Sequence, residues 1–420
     1  MPRAPFAPRA PFAFAARLAL VAPLALSAAA CGGAAPAPES PQPAQNNGSG
    51  IAAPATPEAG AMGPSGPRDP SAGKNPVSAS GGAASSADAA PSFPPPRPTT
   101  LPLAPPNSDD PVDRLLLEGD LAFERGDIAA AAKQYEAARA AAKAPKRAAP
   151  ALVGLARVRI ARANLPTDFG AGKGNKEIAA ATKELRRAVQ SEPGLGAAQV
   201  ELGRALLMAG DAPAALESLR RGVALLPNEP ESHSALGVAL LATGHRSESL
   251  PELARAVELD PGSAPRRGNY GTVLLMAGRV KDAIQQYEAQ VKLADGDARA
   301  HSDLGSALLF ENDFTRGVAE LKKAISLDPQ RATFHTNLGY AYQQQGQVAE
   351  AIAEYRQAIQ LDDKLASAWI NLATALARDP KTRAEARAAL EKARAIDSTD
   401  PRVKANLEEL DALEKDQKKR

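Results

Sequence analysis

A glycine recurs every 34 residues through the second half of this 420-residue chain, at Gly203, Gly237, Gly271, Gly305 and Gly339, with Ala373 at the next step. A strict period of that size marks stacked supersecondary units, each too small to bury its apolar face alone. Leu202, Leu236, Tyr270, Leu304, Leu338 and Leu372 precede that column, and Leu206, Leu240, Leu274, Leu308, Tyr342 and Leu376 follow it by three residues. These offsets fall on one face of a helix. Gly210, Gly244, Gly278 and Gly346, with Asn312 in the remaining slot, then mark a turn, because Gly and Asn enter the left-handed region that closes a helix. Beyond the turn, small residues (Ala215, Ser249, Ala283, Gly317, Ala351, Ala386) are followed four positions later by bulky ones (Leu219, Leu253, Tyr287, Leu321, Tyr355, Leu390). That pairing lets a second helix approach the first closely. Pro227, Pro261 and Pro329 stop the second helix, with Asp295 and Asp363 in their place in two units. The chain reads as all-α, a solenoid of helix–turn–helix units.

These columns resemble the tetratricopeptide repeat, W-x2-L-G-x2-Y…A-x3-F…P, and Trp369, Leu372, Ala373 and Leu376 give the fullest match. The resemblance covers about 290 residues and implies a right-handed superhelix that binds proteins or peptides and performs no chemistry. Two looser repeats occupy 111–195 and six regular ones 196–398. The first loose repeat uses Gly119, Gly126, Ala131, Tyr135 and Ala138. The second uses Gly154, Ala181, Leu185, Ala188 and Pro193, and holds an insert near 164–178. Residues 399–420 place Val403, Leu407, Leu410 and Leu413 on one face of a solvating helix, followed by a basic tail.

Arg3, Arg9 and Arg17 precede an apolar run from Leu18 to Ala30, too short to span a bilayer and suited to a signal-peptide core over 1–30. The stretch from Leu26 to Gly32 resembles a bacterial lipobox, although Ala28 stands where leucine is commonest. That resemblance implies lipidation of Cys31 and a membrane anchor, each buried methylene of an acyl chain contributing about 0.8 kcal/mol. It also implies sorting to the cell envelope, on the periplasmic face of the outer membrane, since Gly32 supplies no aspartate-type retention signal. Cys31 is the chain's single cysteine, so neither an intrachain disulfide nor a cysteine metal cluster can form. Residues 31–110 are rich in Ala, Pro, Gly and Ser and read as a disordered tether. As a coil, a segment of this length spans roughly 50 Å r.m.s..

A net charge of +2 and 4% aromatic residues argue against nucleic-acid binding. The insert's Gly170-Ala-Gly-Lys173-Gly174 fails as a phosphate loop, because Thr167 and Gly174 occupy positions that need glycine and a hydroxyl residue. A flexible surface insert is expected instead. His233, His301 and His335 share a column with Arg267 and Trp369, and packing is expected there in place of metal binding. No cofactor, metal or small-molecule substrate is expected.

One polar column points to a binding face. Asn269, Asp303, Asn337 and Asn371 stand two residues before the recurrent glycine, and Glu201 and Ala235 end the series. The column resembles the asparagine ladder of O-linked N-acetylglucosamine transferases, which implies that these side chains hold a peptide backbone on the concave side. An amide offers one acceptor and two donors for that purpose. Thr272, Ser306, Tyr340 and Thr374, one residue after the glycine, complete the expected groove. The sequence thus predicts a non-enzymatic envelope lipoprotein, an adaptor or assembly factor. The alternatives are a substrate-recruiting subunit of an envelope enzyme complex and, without export, a cytoplasmic regulator.

Overall fold

The computed structural model describes residues 100–165 and 169–418. Among the described residues there are seventeen helices and no strand. They pair as α1 (Pro111–Glu124) with α2 (Ile128–Ala141), α3 (Pro145–Ala163) with α4 (Lys176–Ser191), α5 (Gly196–Ala209) with α6 (Ala212–Leu225), and α7 (Pro230–Ala242) with α8 (Arg246–Leu259). The series continues as α9 (Ala264–Met276) with α10 (Val280–Leu293), α11 (Ala298–Phe310) with α12 (Phe314–Leu327), α13 (Ala332–Gln344) with α14 (Val348–Leu361), and α15 (Ala366–Leu376) with α16 (Arg383–Ile396). Helix α17 (Pro401–Lys418) closes the array, burying Val403 and Leu410. The signal region, Cys31 and most of the expected tether lie outside the described residues.

Each hairpin turns where the sequence provides for it. Gly210 adopts φ 82° and Asn312 φ 66° at the same point of their units. The next residue then caps the second helix, Asp211 accepting from the Ala214 amide and Asp313 from the Arg316 amide, both at 3.2 Å. Across the hairpin the recurrent glycine lies against the bulky column. A Cβ on Gly203 would sit 2.3 Å from Leu219 Cγ, one on Gly271 2.8 Å from Tyr287 Cε1, and one on Gly339 2.7 Å from Tyr355 Cε1. All three bulky side chains are fully buried.

First helices of successive hairpins touch along the whole array, whereas second helices pack chiefly against first helices. The stack therefore bends with first helices on its inner side. A third set of contacts fixes each hairpin to the loop before it. His233, Arg267, His301, His335 and Trp369 each hydrogen-bond the carbonyl six residues back, at 2.8–3.2 Å. The other ring nitrogen of each histidine meets a glutamate on the second helix: Glu252 and Glu320 at 2.6 Å, Glu354 at 2.7 Å. At His233 and His335 a carbonyl and a carboxylate flank the ring, an acceptor at each nitrogen that favours the protonated form. Their pKa values are raised accordingly, first by the glutamate hydrogen bonds, against the opposing effect of burial.

Two segments depart from expectation. The end of the tether is built into the fold: Leu101, Leu103 and Ala104 are buried, and Asp110 caps α1 through the Val112 amide at 2.8 Å. Two leucines within four residues supply apolar surface that the Ala/Gly/Ser-rich stretch lacks, which repays ordering there. The insert, expected as a flexible surface segment, follows the 19-residue α3 and ties back to α5. Gly170 N–H donates to the Leu207 carbonyl at 3.0 Å and Gly172 N–H to that of Met208 at 2.8 Å. Residues 166–168 between these parts lie outside the described residues.

Gly271→Ala is expected to destabilise the array by about 1–3 kcal/mol through overpacking on Tyr287. Gly296→Ala, where an added Cβ meets nothing within 4 Å, should leave the urea midpoint unchanged or slightly raised. Circular dichroism against urea compares them. The histidine contacts also predict a pH dependence. A raised folded pKa gives stability that is complete below the unfolded value of about 6.5 and is lost as pH rises through the folded value. Thermal midpoints of wild type should therefore fall on the alkaline side of about pH 6.5, and His233→Gln/His335→Gln should flatten that slope.

Candidate functional site

The inner side is built from two columns of the first helices, two residues before and one residue after the recurrent glycine. Toward the C-terminus these columns interlock between hairpins. Asn337 Nδ2 on α13 donates to Ser306 Oγ on α11 at 3.2 Å, a step of 31 residues. Asn406 Nδ2 on α17 donates to Thr374 Oγ1 on α15 at 3.1 Å, and Thr374 Oγ1 also lies 2.9 Å from the Ile370 carbonyl. Asn406 was not singled out in the sequence because α17 carries no glycine column. Thr272 turns to its own hairpin, with the Gly268 carbonyl and Tyr287 Oη both at 3.0 Å.

The amides thus differ in how far neighbouring hairpins already use them. Asn337 and Ser306 are buried, and one N–H of the Asn337 amide is given to the neighbouring hairpin. Asn269 is the opposite case. It is 4% exposed and its Nδ2 has no hydrogen-bond partner. The reason lies one rung back: Val238 stands 31 residues before Asn269, where Ser306 stands for Asn337. Valine cannot accept. Thr272, Asp303, Tyr340, Asn371 and Thr374 are half-buried on the same helices.

Toward the N-terminus the first helices are charged, with Asp120, Glu201 and Arg204 in these columns and Arg157, Glu231 and Arg266 outside them. Arg157 on α3 donates to Glu201 Oε1 at 2.7 Å and lies 3.4 Å from Asp120 Oδ1. Glu201 meets Arg204 at 3.2 Å, Arg204 meets Glu231 at 3.3 Å, and Arg266 bridges Glu231 at 3.0 Å and Asp260 at 2.5 Å. Acid and guanidinium alternate through five first helices, all buried. Burial pushes the Glu201 carboxyl up, but Arg204 and Arg157 outweigh it and hold it below the ordinary range. Arg157 and Asp120 also grip the segment before α1. Arg157 Nη2 donates to the Leu101 carbonyl at 2.8 Å, and Leu103 N–H donates to Asp120 Oδ2 at 2.8 Å. Glu201, which ends the asparagine series in the sequence, is therefore the centre of a different network. Its partner lies 44 residues away, beyond the reach of a single repeat.

Among the described residues, no group of three or more His, Cys, Asp or Glu is placed to hold a metal ion. No described helix is long and apolar enough to cross a membrane.

The hairpin stack and its inner polar columns define the class as a helical-repeat solenoid. Tetratricopeptide-repeat models match residues 174–238, 234–298, 302–366 and 344–401, more than half of the chain. The chain belongs to the tetratricopeptide-repeat family, whose scaffold serves protein–protein interaction. No curated protein matches it. Among solved structures it shares its fold with the APC/C hetero-tetramer Cut9–Hcn1, at 17% identity and a TM-score of 0.53, covering 71% of this chain and 55% of that one. MamA from Desulfovibrio magneticus RS-1 matches at 25% identity and a TM-score of 0.37, covering 40% of this chain and 96% of that one. Pseudomonas aeruginosa pilF matches at 18% identity and a TM-score of 0.44, covering 51% and 97%.

Removing Arg157 would leave Asp120 without a guanidinium and Glu201 with Arg204 alone, and would release the Leu101 carbonyl. Arg157→Met is expected to cost about 3–5 kcal/mol, the range for breaking a buried pair from one side. The urea midpoint reports the cost, and faster hydrogen exchange at the Leu103 amide reports detachment of the N-terminal segment.

Proposed function

We propose that this protein is a non-enzymatic adaptor or assembly factor that holds an extended segment of a partner protein along its inner side. The observation that carries this reading is the unmet Asn269 donor, set on the inner column among the half-buried Thr272, Asp303 and Asn371. A buried amide N–H without a partner costs about 1–3 kcal/mol. A peptide carbonyl would satisfy it without reading a side chain, while Asp303 favours a donor-rich or cationic stretch beside it.

The same reading places the protein in the cell envelope. An apolar run ending at the sole cysteine supports export, lipidation of Cys31 and attachment at the periplasmic face of the outer membrane. The Pro- and Ala-rich stretch after Cys31 then serves as a tether that gives the solenoid reach from the membrane.

Crosslinking and affinity capture from native membranes tests both parts. Asn269→Ala/Asn371→Ala should lose defined envelope partners that wild type captures, without change in the urea midpoint beyond about 1 kcal/mol. Retention of every partner by that variant would remove the inner columns from the binding account. Cys31→Ser should release the protein into the soluble fraction, and unchanged membrane attachment would refute lipid anchoring.

A further inference from the structure

The second helices carry a charge ladder of their own: one rung keeps only its acid, Asp282 opposite Ala254, and one keeps only its base. Arg220 on α6 meets Glu248 on α8 at 3.0 Å, 28 residues on. Glu288 on α10 meets Arg316 on α12 with the signs reversed, at 2.5 Å, and Arg356 on α14 meets Glu385 on α16 at 2.7 Å. One repeat before Arg220, in the same column, stands Arg186 on α4. Its counterpart 28 residues on is Ala214, so the position that carries a carboxylate for Arg220 is apolar for Arg186.

The surroundings deepen that imbalance. The acids of α4, Glu177 and Glu184, are both taken by Arg159 on α3, at 3.1 and 3.0 Å. Lys183, Arg186 and Arg187 are exposed, and among the described residues none has a carboxylate within ion-pair distance. They line an open groove of about 540 Å³ between α4 and the end of α5, together with Thr182, the buried Leu206 and Asp211. Asp211 is committed to capping α6. The insert turn is bonded to Leu207 and Met208, next to Leu206, and fixes the stretch of α5 that forms one wall.

We propose that this groove is a second docking surface, which takes an acidic peptide segment of a partner protein. Carboxylates of the segment replace the one that Ala214 does not supply, and an apolar residue between them rests on Leu206. Guanidinium forks suit carboxylates in two-bond geometry. The groove has no aromatic lining on which a nucleic-acid base could stack. A concave pocket that admits a few side chains also differs from the flat surface that a membrane requires. The proposal is independent of the inner-column reading, since no residue is shared.

Fluorescence anisotropy on the full chain, with a labelled peptide alternating glutamate and leucine, tests it. Lys183→Glu/Arg186→Glu should weaken binding by about tenfold or more, because two attractive charges become repulsive. Arg220→Glu, an equally exposed charge reversal on the next hairpin, should leave binding within about twofold. Absence of binding to wild type, or equal loss in both variants, would overturn the proposal. So would tighter binding of phosphatidylglycerol-doped vesicles or of single-stranded DNA than of the peptide, since the site would then be a general anion surface.

Discussion

The contact on which the structure depends is between an absent side chain and a large one. Glycine on the first helix allows Leu219, Tyr287 or Tyr355 to lie directly against the backbone, where an added Cβ would fall within 2.8 Å of a side-chain atom. That approach sets the spacing of the two helices, and interiors packed at this density do not relax around a misfit. Because the contact returns at every step of 34 residues, each hairpin presents the same shape to the next. Columns of sequence thereby become faces of the stack. At the start of the array the contact is doubled: Tyr135 lies against both Gly119 and Gly154. Its hydroxyl donates to Asp120 at 2.7 Å, and the buried ion chain begins at that carboxylate.

The inner side changes character along its length. Between α1 and α9 its polar groups pair with one another as alternating ions. A buried ion chain of this kind adds little net stability over apolar packing, yet removing any member is costly. It therefore acts more on the order in which hairpins pair than on their strength. From α9 onward the columns are neutral except at Asp303, and hydroxyl–amide bonds join α13 to α11 and α17 to α15. Neutral amides can exchange one partner for another at lower cost than desolvated ions. The proposed peptide site therefore falls on the C-terminal hairpins, while the N-terminal ones hold the chain's own Leu101–Ala104 segment.

Much of the fold was legible because its determinants are local. The glycine column, the turn residues and the small-then-large alternation each act within one hairpin, so a period in the sequence translates into a period in space. The candidate site was legible only in part. Asn337 and Ser306 were both visible as polar columns, but their mutual bond depends on the register between hairpins, which no single repeat contains. Glu201 was read as a boundary because Arg157 lies on α3, where the insert disturbs the period. Leu101 and Leu103 were hidden by the composition around them. Two leucines in a proline-rich stretch are enough to dock it once Asp120 and Arg157 bind its backbone.

A periodic structure also supplies its own controls. The column of His233, Arg267, His301, His335 and Trp369 mixes three residue types, yet each presents an N–H to the carbonyl six residues back. The shared requirement is therefore a donor of that reach, with apolar bulk secondary. The same comparison isolates the exceptions. Val238 leaves Asn269 without the acceptor that Ser306 gives Asn337, and Ala214 leaves Arg186 without the acid that Glu248 gives Arg220. In both places only one half of a polar pair is missing. For the buried Asn269 the lone half is a donor that costs free energy until it is met, whereas the exposed Arg186 stays hydrated and offers its charge to solvent. Neither group finds that partner within its own array, and the two lie on first and second helices respectively, so the two proposed binding sites do not compete for the same residues.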